Sequence, residues 1–364
     1  MSSELFDAVL GLGQGGGRLA ETFSRYYGIR GLYFNLTGLD FERFSLKKRD
    51  TLVIETGGSG RDPAAGEATV SKNFGQVAEM LAQVSAAETV VVCVGGGGGS
   101  GVGFMFPILQ HLRKGKKKTN ILLVYTLPEK REGIPVQPNA VKSLDRLVQE
   151  GYVSERGIGT LLIDNDYCHS LYQKATSDHW QKINEGIAAS LGRFAGLAAY
   201  TELPHTKNAF AGFKTLDMQE LRRVLFFGGG FLDIREVKVP SLAALADVKS
   251  ALRKGSLVNS SMQIQTAKSY ILSVGLPSAW GGTANVSEKV EKVFDDVSRL
   301  TRTPYAIQTS YYAGQGQKGT VSLLLAGLTQ GKSIERQVRT AEKNVAKFRE
   351  KPKEIQIEIG DLDY

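Results

Sequence analysis

The sequence predicts an α/β fold in which a Rossmann-like parallel sheet is joined by a long helix to a smaller α/β domain. Two observations carry this prediction. Short apolar segments alternate with helical patterns through the first half of the 364-residue chain, which is typical of a parallel sheet with helices on both faces. Glycine-rich loops follow two of these segments, at the place where such sheets bind ligands.

The elements follow in order from apolar runs, which predict strands, and from apolar spacing of three to four residues, which predicts helices. In the first half, strands are predicted over 6–12, 31–35, 51–55, 90–94, 120–125 and 161–163, and helices over 18–26, 69–86 and 102–113. A long helix over 179–200 follows. Beyond it, strands over 268–274, 305–312 and 320–325 surround a helix over 286–300.

The domain boundaries follow from these elements. Residues 1–178 form the predicted ligand-binding domain and residues 179–202 the connecting helix. Residues 203–330 form the smaller α/β domain, and residues 331–364 a basic helix with an acidic tail.

Composition limits the possible functions. The formal charge is +8, but aromatic residues are not interleaved with the basic ones, which argues against direct nucleic-acid binding. Two cysteines cannot form a disulfide framework, so we expect a reducing cytoplasm. The four histidines lack metal-ligand spacing, so no metal site built by protein side chains is expected. No apolar run approaches the roughly 18 residues that span a bilayer.

The most informative segment is the glycine run 95–101, which stands between a β-branched strand and a helix. Its backbone N–H groups are not covered by side chains, and the start of a helix attracts anions. The segment therefore predicts a binding site for a polyphosphate.

Two other nucleotide motifs compete with this interpretation. The spacing Gly11-x-Gly13-x-x-Gly16 matches the fingerprint of NAD-binding proteins, but that fingerprint requires an acidic residue where the second strand here ends in Asn35. A relaxed Walker pattern ends in Lys332-Ser333, but only 31 residues follow it. That length is too short for the rest of such a sheet, so we interpret this match as chance.

The glycine run resembles the GGGTG[ST]G signature of the FtsZ/tubulin superfamily of polymerising GTPases, and 58–67 is similar to its G-x-G-x-N-P-x-x-G segment. The resemblance covers nearly the whole chain. It implies GTP and GDP as ligands, Mg²⁺ bound mainly through the phosphates, and self-association head to tail. The C-terminal region is similar to that of plasmid and phage homologues that move DNA, which implies a DNA-binding adaptor as a partner.

The resemblance also assigns roles to individual residues. Those implied to surround the phosphates are Gly13, Gln14, Gly15, Gly16, Arg18, Gly60, Asp62, Gly96, Gly97, Gly98, Gly99, Ser100 and Gly101. Asn35 is implied to lie near the nucleotide, and Pro128 and Glu132 near the ribose. Asn165 and Asn184 are implied to read guanine while Trp180 stacks on it; alternatively, Trp180 is an ordinary core aromatic residue.

Catalysis in this family is shared between subunits. The segment 212–220 resembles its G-x-x-N-x-D-x-x-[DE] motif, which implies that Asp217 and Glu220 polarise a water at the neighbouring subunit's γ-phosphate. Helix capping by Asp217 is the alternative. Gly98 and Thr215 depart from the family's threonine and asparagine. Alternatives for the whole protein are a cell-division role, an assembly subunit that does not hydrolyse nucleotide, or an NAD-dependent oxidoreductase.

Overall fold

A computed structural model gives the architecture of most of the chain. It describes residues 5–41, 46–114, 118–133, 135–171, 179–201, 215–254, 256–258, 262–281, 283–303, 305–312, 318–329 and 343. The predicted C-terminal helix and acidic tail, and the Walker-like lysine, lie outside these residues.

Ten described strands form one mixed sheet with the order β3-β2-β1-β4-β5-β6-β7-β10-β8-β9. The strands are β1 (Ala8–Leu12), β2 (Arg30–Asn35), β3 (Thr51–Val53), β4 (Thr89–Gly95), β5 (Asn120–Leu127), β6 (Ile158–Asp164), β7 (Phe231–Val239), β8 (Ser269–Leu276), β9 (Tyr305–Tyr312) and β10 (Gly319–Leu328). Only β10 runs antiparallel to its neighbours, β7 and β8. The predicted α/β class with a mostly parallel sheet is confirmed.

Helices cover both faces of this sheet. They are α1 (Gly13–Tyr27), α2 (Pro63–Lys72), α3 (Phe74–Ala82), α4 (Gly99–Lys114), α5 (Val136–Gln149), α6 (Asn165–Leu171), α7 (His179–Thr201), α8 (Met218–Phe227), α9 (Val248–Lys254) and α10 (Val286–Thr301). Helices α1, α6, α7 and α8 bury their apolar residues in the core on one face. Helices α2 to α5, α9 and α10 share the core on the other.

Several predicted boundaries differ from the structure. Helix α1 begins at Gly13 and not at residue 18, so the first glycine-rich loop is itself the first turns of the helix. The single helix predicted over 69–86 is two helices, α2 and α3, which meet at Asn73. Helix α5 and strand β7 were not predicted.

The sheet is continuous across the predicted domain boundary. Strand β7 pairs with β6 through two register positions, Thr160 with Phe231 and Leu161 with Leu232. Helix α7 packs across this junction against α1 and α8. The division into separate domains at the predicted boundaries stays a prediction.

Candidate functional site

A cavity of about 740 Å³ lies at the carboxyl ends of the first-half strands. The ends of β1, β4 and β5 and the starts of α1, α4, α5, α6 and α7 contribute to it. The predicted binding residues that line it are Gly13, Gln14, Gly15, Arg18, Gly60, Gly96, Gly97, Gly98, Gly99, Ser100, Gly101, Pro128, Glu132, Asn165, Trp180 and Asn184. The fold therefore gathers residues from distant parts of the sequence around one space.

Two of the helices that begin at this cavity, α1 and α4, begin with glycine. Gly13 opens α1 in a left-handed conformation, with φ of +66°, and a Cβ there would lie 2.8 Å from the Gly101 nitrogen. A Cβ at Gly101 would in turn lie 2.8 Å from the Leu12 carbonyl oxygen. The two loops thus pack backbone against backbone. Because the first four N–H groups of a helix have no partner within it, these two helix starts can bind an anion.

The glycine run 95–101 is crowded at some positions and open at one. A side chain at Gly96 or Gly97 would overlap Tyr125 or Val136, respectively. A Cβ at Gly98 would meet only the Gly95 carbonyl oxygen, at 3.8 Å. Neighbouring atoms therefore leave room for a side chain at Gly98, where the family has threonine.

Three of the predicted binding residues do not line the cavity. Gly16 is buried, and a Cβ there would overlap the Cys93 carbonyl oxygen, so this glycine lets α1 pack closely on β4. Asn35 is fully buried, and its amide donates to Asp40 Oδ2 at 2.8 Å. Because Asp40 does line the cavity, Asn35 can act there by orienting Asp40.

Asp62 is the third of these residues, and it caps helix α2. Its Oδ1 accepts hydrogen bonds from the Ala64 and Ala65 N–H groups at 2.8 and 3.4 Å. The side chain is exposed beside the loop that carries Gly60. One carboxylate oxygen is thus engaged in holding the helix start.

The opposite end of the cavity is built by α6 and α7. Asn165 is the first residue of α6, and Trp180 and Asn184 lie one turn apart on α7, all three partly buried. The His169 and Trp180 rings lie 6.5 Å apart between centroids. This arrangement offers a flat aromatic surface and two amides, which suits a heterocyclic base.

The loop that carries Pro128 and Glu132 is tied to α6. Glu132 Oε1 accepts from the Glu129 N–H at 3.0 Å, which turns the loop back on itself. Asp166 Oδ1 accepts from the Lys130 N–H, also at 3.0 Å. The predicted ribose loop and the predicted base-reading helix are therefore held as one unit.

Among the described residues that line the cavity, the charges are balanced. Arg18 and Arg61 are its cationic lining residues, and Asp40 and Glu132 are the anionic ones. Across the described ranges, no group of three or more His, Cys, Asp or Glu residues could hold a metal ion. Arg61 and Asp40 were missed by the sequence analysis, although Arg61 stands within the glycine-rich segment that was compared with the family motif.

Asp217 and Glu220 lie away from this cavity. They form a capping box at the start of α8, in which Asp217 Oδ1 accepts from the Glu220 N–H at 2.7 Å. Glu220 Oε2 accepts in return from the Asp217 N–H at 3.2 Å. The capping alternative is therefore realised, and it leaves a role toward a neighbouring subunit as a prediction.

This fold and its cavity agree with the sequence resemblance: the chain is similar to tubulin-like proteins, and its fold is that of solved TubZ and CetZ structures. Its sequence is 26% identical over 372 residues to the tubulin-like protein CetZ of Pyrococcus horikoshii, covering 97% of this chain and 94% of that protein. No protein-family model matches the sequence.

Solved structures share the fold. A GTPγS-form protofilament of TubZ from Bacillus thuringiensis serovar israelensis superposes with a TM-score of 0.75 at 17% identity, covering 94% of this chain and 93% of that one. A GTPγS-bound protofilament of CetZ2 from Haloferax volcanii gives 0.72 at 19% identity, over 94% and 99% of the two chains. Among the described residues, no helix is long and apolar enough to cross a membrane.

Proposed function

We propose that this protein binds and hydrolyses GTP and assembles head to tail into cytoplasmic filaments. One observation carries the proposal: two glycine-rich helix starts and a base-sized aromatic and amide surface face the same cavity. The phosphates bind at the starts of α1 and α4, where N–H groups are free and the helix dipoles favour negative charge. The base lies between Asn165, Trp180 and Asn184.

Hydrolysis in this proposal is completed by the neighbouring subunit. Asp217 and Glu220 do not line their own cavity, and Asp217 is exposed. At an interface, their carboxylates polarise the attacking water at the adjacent nucleotide. The CetZ2 structure is a GTPγS-bound protofilament, and the TubZ structure is a protofilament in its GTPγS form. Both support the same assembly for this chain.

Mg²⁺ fits this site as an ion that the phosphates mainly hold. The described residues offer no acidic cluster that would bind Mg²⁺ alone, and Asp62 is an exposed carboxylate on the adjoining loop. The bound Mg²⁺ would neutralise charge that develops on the phosphates.

The narrower cellular role that we propose is positioning of DNA through an adaptor protein. It rests on the resemblance of the C-terminal region to plasmid and phage homologues. Cell division is the alternative. Tracking of labelled filaments and a labelled plasmid in the same cells tests it: joint movement is expected, and independent movement contradicts the role.

Competition binding tests the nucleotide assignment. GTP and GDP are expected to displace a fluorescent guanine nucleotide at much lower concentrations than ATP or NAD. Lys332→Ala is the matched control for the Walker-like pattern and should bind GTP as the unaltered protein does. Preference for NAD, or loss of GTP binding in Lys332→Ala alone, would reject the assignment.

A further inference from the structure

A carboxylate is buried in the loop that carries the predicted ribose contacts. The Glu129 side chain is only 4% exposed, although glutamate is almost never buried unless it is paired. Glu129 comes between Pro128 and Glu132 in the chain, and both of these line the cavity, but Glu129 does not. Its carboxylate therefore acts on other side chains of the protein and not directly on a ligand in the cavity.

The Glu129 carboxylate contacts two side chains. It accepts hydrogen bonds from the Arg131 guanidinium, of which the one from Nη2 to Oε1 measures 3.3 Å. The same oxygen lies 3.3 Å from Nδ1 of His169, on α6. Arg131 belongs to the same loop as Glu129, and its side chain is mostly exposed. Of the two partners, it is thus His169 that ties the buried carboxylate to another element.

His169 also reaches the end of the cavity where the base is proposed to bind. It lies one helical turn after Asn165 on α6, so the two side chains share a face of that helix. The centroids of the His169 and Trp180 rings are 6.5 Å apart, with an angle of 51° between the ring planes. Ring contacts at this separation are attractive and favour particular orientations. His169 therefore connects the loop of Glu129, through α6, with Trp180 on α7.

Trp180 needs such a contact because of its place in the helix. It is the second residue of α7 and is partly buried. The ends of helices fray, so the backbone of the first turn holds an aromatic ring less firmly than a helix interior does. Stacking on a base requires a ring that is already oriented, because ordering a side chain on binding costs affinity. The His169 ring supplies this restraint, and Glu129 holds the His169 ring.

We propose that His169 is a positioning residue for base recognition: held by the buried carboxylate of Glu129, its ring orients Trp180 for stacking on guanine. This inference rests on the proposed function. In the proposed binding mode, the pair Glu129–His169 acts on the nucleoside end of the ligand, away from the helix starts that bind the phosphates.

The fluorescence of Trp180 tests this. Trp280→Phe leaves Trp180 as the only tryptophan in the chain, and a base that stacks on an indole ring quenches the indole emission. GDP is titrated, so that no hydrolysis accompanies binding. In this background, His169→Ala should reduce the quenching at saturating GDP and weaken GDP binding about threefold to tenfold.

Glu129→Leu keeps a similar volume without the carboxylate, and it should have the same two effects. Because the two residues act as one pair, their effects should not add. The double variant Glu129→Leu/His169→Ala should therefore bind GDP no more weakly than the weaker of the two single variants.

His111→Ala is the matched control. His111 also contacts an aromatic ring, that of Phe74 at 5.4 Å between centroids, but it does not line the nucleotide cavity. Quenching and GDP binding should be unchanged in this variant. Full quenching at saturating GDP in His169→Ala would overturn the proposal, and so would losses in the double variant that equal the sum of the single losses. Failure of the unaltered protein to bind GDP would instead reject the proposed function, so the two outcomes are distinct.

Discussion

Asp217 and Glu220 exchange hydrogen bonds at the first turn of α8, each carboxylate accepting from the other residue's backbone N–H, at 2.7 and 3.2 Å. The same two carboxylates are the proposed catalytic groups. The observed capping and the proposed catalysis thus fall on one pair, and substitutions must separate the two roles.

Glu220→Gln separates the two roles. Glutamine at this position also completes a capping box, so stability should change by less than about 0.5 kcal/mol. It cannot act as a base, so GTP hydrolysis should fall by about a hundredfold or more, while monomer GTP binding stays normal and filaments live longer. Phosphate release and thermal unfolding measure the two effects. Glu220→Ala is the comparison, expected to lose both hydrolysis and about 1 kcal/mol of stability. Normal hydrolysis by Glu220→Gln would leave capping as the pair's only role.

A side chain at Gly98 and one at Gly16 should have opposite effects on the stability of the protein. Gly98 has free space around it and a negative φ, so Gly98→Ala should keep the fold and GTP binding and stabilise the protein by up to about 1 kcal/mol. Gly16→Ala places a methyl group against the Cys93 carbonyl. It should destabilise the fold by about 1–3 kcal/mol and weaken GTP binding, because α1 must move off β4. Thermal unfolding and nucleotide titration of both variants check this, and equal effects would contradict it.

Asn165→Ala should reduce base discrimination. If the amide pairs with the guanine edge in a largely desolvated pocket, its loss should weaken GTP binding about tenfold to a hundredfold while ATP binding stays as weak as before. The measurement is the ratio of GTP to ATP affinity. Gln137→Ala is a suitable control, because Gln137 binds the carbonyls of residues 129 and 130 and does not line the cavity. A ratio that falls equally in both variants would remove Asn165 from base recognition.

The buried pair Asp233–Arg235 predicts a large stability effect. Arg235 donates to Asp233 Oδ2 at 2.8 Å, and both side chains are almost fully buried. Burial raises the pKa of the Asp233 carboxyl. Arg235 and Ser256 oppose this shift, because both favour the charged form of the carboxyl. Asp233→Ala leaves the guanidinium buried without its partner and should cost about 3–5 kcal/mol in the free energy of unfolding. Glu67→Ala, which breaks the half-exposed pair with Arg146, should cost far less. Chemical denaturation compares the two, and similar losses would contradict this account.

The same buried pair explains why strand β7 was not predicted. Its sequence places Asp233 and Arg235 within the strand, and charged residues at such positions argue against a buried strand. In the structure, the guanidinium is satisfied by Asp233 and by the carbonyls of residues 252, 253 and 262. These partners are distant in sequence, so local patterns cannot reveal them. The central strands and the glycine loop before α4, by contrast, follow from local apolar runs and turn chemistry.

At the candidate site, too, local sequence patterns could not reveal the role of every residue. Its lining glycines and the Asn165, Trp180 and Asn184 group were predicted through the family resemblance. Gly16 and Asp62 are of the same residue types as some lining residues. Gly16, however, lets α1 pack on β4, and Asp62 caps α2. Only the three-dimensional neighbours separate these roles. Arg61 was missed because neither its residue type nor its spacing reveals that it lines the cavity.

The dependence of GTP hydrolysis on protein concentration tests the central claim most directly. Light scattering and phosphate release are recorded together over a dilution series with GTP. In the proposed mechanism each active site is completed by a neighbour. Phosphate release should therefore be close to zero below a critical concentration and rise in proportion to filament mass above it, with no assembly in ATP. A rate per subunit that is independent of concentration, or GTP binding without any assembly, would contradict the account.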